Sequence, residues 1–154
     1  MPNDIPQHQH PSPQDTQRIL ITMRIAFVAL ITGQIVAALA LLAFFWNRAP
    51  NPIPHLAPTI TTTLIILFAL ITPLTFFIRM QIYKKHWKAD RITPQGYLLA
   101  NLIILTSQQA IFLIAVVAAA LTQRYALSLI PAYLALFIQL TNYPTGKPLQ
   151  PHTS

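Results

Sequence analysis

The sequence predicts an all-α integral membrane protein, with four transmembrane helices arranged as two hairpins and both termini cytoplasmic. Three observations carry this reading. The first is composition: of 154 residues, 54% are apolar and 8% charged, whereas a soluble domain carries about 25% charged residues. Such a chain cannot cover itself with polar surface, so its apolar excess must face lipid. The second is segmentation: the apolar residues fall into four runs, 25–46, 58–78, 97–121 and 125–140, joined by short polar stretches. A helix rises about 1.5 Å per residue, so about 20 residues cross the roughly 30 Å hydrocarbon layer. The third is charge asymmetry. Arg18, Arg24, Arg79, Lys84, Lys85, Lys88, Arg91 and Lys147 fall on one side of the predicted spans, and only Arg48 and Arg124 on the other. Lys and Arg in short loops stay in the cytoplasm, which fixes the orientation and points to the plasma membrane.

Residues 1–17 are polar and proline-rich and read as a disordered cytoplasmic tail. The pair His8 and His10 lacks an organised third ligand and makes a poor metal site. A helix is expected to start near Asp15 and Thr16, either of which can cap it. The first span ends in Phe44, Phe45 and Trp46, an interfacial aromatic anchor. Pro50, Pro52, Pro54 and Pro58 then enforce an extended connection.

The second span opens with Thr59, Thr61, Thr62 and Thr63, whose hydroxyls can bond back to helix carbonyls. Pro73 lacks the N–H that the Ala69 carbonyl would accept, so a kink is expected there. The basic cytoplasmic loop covers 79–96, and the helix is expected to run on through 79–88. Arg79, Lys84, Lys85, Trp87, Lys88 and Arg91 are its expected contacts with lipid headgroups, each cation worth about 1 kcal/mol at an anionic surface. Thr93 and Pro94 supply a cap and a first helical residue for the third span. The fourth span contains Pro131, and 144–154 reads as a second disordered tail, so the membrane domain covers 18–143.

Two local similarities suggest an internal repeat. Leu30-Ile31-Thr32-Gly33-Gln34 resembles Ile104-Leu105-Thr106-Ser107-Gln108, and Pro73 and Pro131 each follow a Leu-Ile pair closely. Two such hairpins would be related by an axis along the membrane normal. Small residues four apart, at Gly33 and Ala37, Ala115 and Ala119, and Ser128 and Ala132, suggest close helix approach.

The informative polar side chains within the spans are amides, Gln34, Asn101, Gln108 and Gln109. Asn101 and Gln108 are seven apart and share a helix face. An amide left unpaired near mid-bilayer costs several kcal/mol, about 4–8 by transfer to hydrocarbon. Gln108 therefore needs a partner, and Gln34 is the expected one. These amides either fix helix register or line a polar path.

No catalytic, cofactor-binding or metal-ligating set is evident. There is no Cys and no Glu, and Asp4, Asp15 and Asp90 all lie outside the spans. Paired intramembrane His, which could hold haem, are missing. So are GxSxG, HExxH, P-loop and GxGxxG motifs. The net charge of +7 sits at segment ends, beside lipid phosphates rather than on a nucleic-acid-binding face. The stretch Gln108-Gln109-Ala110-Ile111-Phe112, with Ala115-Val116-Val117-Ala118 after it, resembles the ion-binding helix of the duplicated rotor proteolipids of rotary ATPases. That resemblance implies two membrane hairpins. It carries over no functional residue, because the family's membrane carboxylate has no counterpart here and its glycine-rich packing meets a chain with 3 Gly. The expected role is non-enzymatic: an accessory or scaffold subunit in contact with membrane lipid and with other membrane subunits or itself. A small transporter or channel using the amides is the alternative.

Overall fold

The computed structural model describes residues 13–46, 55–88, 91–122 and 125–150. It is built on three long helices, α1 (Pro13–Trp46), α2 (Ala57–His86) and α3 (Pro94–Thr122), each long and apolar enough to cross a membrane. A short helix α4 (Tyr125–Ser128) leads into α5 (Ile130–Thr141). Two short strands, β1 (Trp87–Lys88) and β2 (Arg91–Ile92), pair antiparallel between α2 and α3. One turn of 3₁₀ helix, η1 (Lys147–Leu149), follows α5.

Helix α3 is the hub, and α1, α2 and α5 all pack against it. Half of its most apolar stretch is buried (50%), against 11% in α1 and 17% in α2. The core lies where the four meet: Ile111, Phe112, Ala115 and Val116 of α3 contact Ala132 and Ala135 of α5. Ala38 and Leu41 of α1 and Phe68 and Ile71 of α2 pack around them. The buried small residues do what their spacing suggests at Ala115, Ala119, Ser128 and Ala132. Gly33 does not, since a Cβ added there would meet nothing within 4 Å.

Four features differ from the sequence reading. Helix α1 starts at Pro13, so the tail expected over 1–17 is helical from that residue on; the remainder of that tail lies outside the described residues. The fourth expected span is broken by a turn at Leu129, which leaves α5 only 12 residues long. Pro131 suits this break, because it has no N–H to bond the Leu127 carbonyl and sits in the first turn of α5. Pro73, by contrast, lies inside a helix assigned without interruption, so the two prolines of the suggested repeat occupy unlike positions. The helical extension of α2 past Arg79 stops at His86. Thr93 caps α3 as expected, its hydroxyl accepting from the Gly96 N–H at 3.3 Å.

The fourth difference is the segment after α5, expected as a tail, which folds back over the bundle. Leu149 is buried with Ile92 and Tyr97 against Leu20 and Tyr83. The turn into η1 is made by Gly146 at φ 79°, with the Leu20 side chain where a Cβ would go. Both the left-handed backbone and the close contact select glycine.

Candidate functional site

Polar groups gather at two levels along α3. One is the end that carries Arg79, here the basic end; the other is half-way along the helix.

At the basic end, α2 and α3 run antiparallel and meet through polar pairs. Arg79 donates to Asn101 Oδ1 at 3.3 Å, to Tyr83 OH at 3.2 Å and to Asn142 Oδ1 at 2.5 Å. Its guanidinium also lies 5.1 Å from the centre of the Tyr83 ring. Asn101 passes the connection on, donating to the Tyr97 carbonyl at 2.7 Å. The Tyr97 hydroxyl accepts from the Gly146 N–H at 3.1 Å. From α1, Arg24 reaches the Pro144 carbonyl at 3.4 Å and stacks on Tyr143, whose ring meets Phe27 edge-on at 5.2 Å. These bonds tie the first half of α1, the end of α2 and the start of α3 to the segment that follows α5. Gly96 permits the closest approach, because a Cβ there would overlap the Cβ of His86.

Arg79, one of the cations expected at the headgroups, is half-buried and bonds inward to Asn101 and Asn142. Lys84, Lys85, Trp87 and Lys88 are exposed, and Arg91 is half-buried.

Half-way along α3, Gln108 is fully buried and donates to Thr72 Oγ1 on α2 at 3.4 Å. The bond expected between Gln108 and Gln34 is not made. Gln34 is itself fully buried, and neither its Oε1 nor its Nε2 has a hydrogen-bond partner. Gln139 of α5, a third fully buried amide, donates to the Leu105 carbonyl at 3.1 Å. The Oε1 atoms of Gln108, Gln109 and Gln139 are buried and unpaired too. A smaller hydroxyl cluster closes the opposite end, where Ser128 lies 3.1 Å from Thr61 and 3.4 Å from Thr122.

The sequence reading found Asn101, Gln108 and Gln34 but missed Thr72, Gln139 and Asn142. The spacing held a usable signal. Thr72 and Arg79 are seven apart on α2, as Gln108 and Asn101 are on α3, which is the match two antiparallel helices need to pair both polar positions. Gln139 was legible as a lone amide in an otherwise apolar helix.

The arrangement can bind and orient through neutral amides and one arginine. Neither a protein-family model, nor a curated protein, nor a solved structure matches this chain.

Proposed function

We propose that this protein is a multi-pass membrane protein acting by helix packing rather than catalysis, as an accessory or scaffold subunit of a plasma-membrane assembly. The basic end is read as cytoplasmic, since Lys and Arg are retained on that side. Exposed Lys84, Lys85, Trp87 and Lys88 suit the headgroup layer. Exposed Val28, Leu39, Ile66 and Leu70 suit acyl chains.

The observation that carries the subunit reading is the uncovered face of α1. Ala29, Gly33, Val36, Ala40 and Ala43 are all exposed and share one helical face. Four of the five are Gly or Ala, and such small residues let a second helix backbone approach closely in lipid, where packing rather than water exclusion drives association. The occupant would be a helix of another subunit or of a second copy. Purification in mild detergent followed by mass spectrometry tests this. The native protein should retain a partner or dimerise, and Gly33→Ile should lose it more than tenfold without a change in thermal stability. A strictly monomeric native particle sinks the reading.

The unpaired amide atoms favour a second reading, a small transporter or channel. Replacing Gln108 with Leu should then abolish flux in reconstituted vesicles. A variant that loses only stability rules transport out.

A further inference from the structure

The amide layer half-way along α3 is built from all four packed helices. Gln108 of α3 is joined to Thr72 of α2. Gln139 of α5 bonds the Leu105 carbonyl, one turn before Gln108. Gln34 of α1 falls at the same level. Ile31, just before it, packs on the cluster that contains Leu105, and Ala38, just after it, packs on the cluster that contains Ile111 and Phe112.

Three of these side chains, Gln34, Gln108 and Gln139, have no exposure at all, yet four of their polar atoms lack a partner: both of Gln34 and the Oε1 of Gln108 and Gln139. A buried amide atom without a hydrogen bond costs about 1–3 kcal/mol in proteins. Four at one level would burden the fold heavily, and nothing apolar can relieve them. A carboxamide offers two acceptor sites and two donors, and its oxygen and nitrogen ends can exchange places. The layer therefore presents both acceptors and donors, and its four contributing side chains are uncharged. An ion buried there would have no opposite charge beside it. A small neutral molecule that both donates and accepts satisfies the layer in either amide orientation.

We propose that Gln34, Gln108 and Gln139 form an internal binding site for a small neutral hydrogen-bonding solute, of which water is the smallest. An internal water makes about three hydrogen bonds, and the four open atoms are enough to hold one and begin a second. The site goes beyond the scaffold reading and does not depend on it. It also does not require transport, since occupancy and flux are measured separately.

The test uses the full chain in lipid bilayers with ¹⁵N-labelled glutamine and water as the probe. Magnetisation transfer from water to side-chain amides should give cross-peaks at Gln34, Gln108 and Gln139 that persist at long residence times. Gln34→Leu should remove the cross-peaks at Gln108 and Gln139. Gln34→Met, unbranched and similar in length, serves the same purpose if the leucine variant does not fold. Absence of water cross-peaks in the native protein overturns the site. So does a direct amide–amide contact between Gln34 and Gln108, or survival of the Gln108 and Gln139 signals in both variants.

Discussion

The basic end and the amide layer are both polar and both lie on α3, yet they are finished differently. At the basic end Arg79, Asn101, Tyr97 and Asn142 find acceptors or donors in neighbouring elements, and only the Arg79 Nε–H is left over. Half-way along, Gln34, Gln108, Gln109 and Gln139, from three helices, leave five buried amide atoms without a partner. The difference teaches that polar residues in an apolar bundle differ in what they contribute. Where each group is paired within the chain, polarity locks helix positions. Where groups are left unpaired, as at the amide layer, polarity adds no bond within the chain.

The sharpest way to break this comparison is at Arg79. Arg79→Leu should lower stability by about 3 kcal/mol, because bonds to a charged donor are strong and their loss strands Asn101 and Asn142; thermal unfolding in detergent reads this. Gly96→Ala should cost about 2 kcal/mol in the same assay, since the overlap is with the His86 Cβ, which cannot swing aside. Tyr97→Phe keeps the ring and removes one acceptor, for a loss of about 1 kcal/mol. It should also speed amide exchange at Gly146 and proteolysis near Lys147. Gln34→Leu sharpens the contrast from the other side: stability should stay within about 1 kcal/mol of native, because the unpaired amide contributes no bond within the chain. A loss at Gln34 equal to that at Arg79 would erase the distinction between the two levels.

The long helices were legible because their apolar runs are unbroken and their caps are local: Thr93 and Pro94 announce α3 within two residues. The break at Leu129 was harder to see, since Pro131 and Pro73 look alike in sequence, and only the packing of each helix decides whether proline starts a helix or sits within it. The pairing of amides was misread for a different reason. Gln34 and Gln108 look like natural partners by type, but α2 lies against the Gln108 side of α3 and its Thr72 hydroxyl reaches first. The inward bonds of Arg79 were not legible, because Asn142 lies 63 positions away and nothing near Arg79 in sequence reveals it. Local signals sufficed for the three long helices; the broken fourth helix and the site depended on more than local pattern.

The return of the segment after α5 has a consequence for the order of synthesis. Arg24 on α1 is bonded by a carbonyl 120 positions later, and Phe27 and Leu20 are covered by Tyr143 and Gly146. The first half of α1 must therefore wait on the ribosome's schedule with its contact face open, while α2, α3 and α5 are made. During that interval Met23 and Phe27 have Leu105 for cover only once α3 has emerged, and the lock at the basic end closes last of all. A chain ending before Tyr143 would lack every one of these contacts to Arg24, Phe27 and Tyr97.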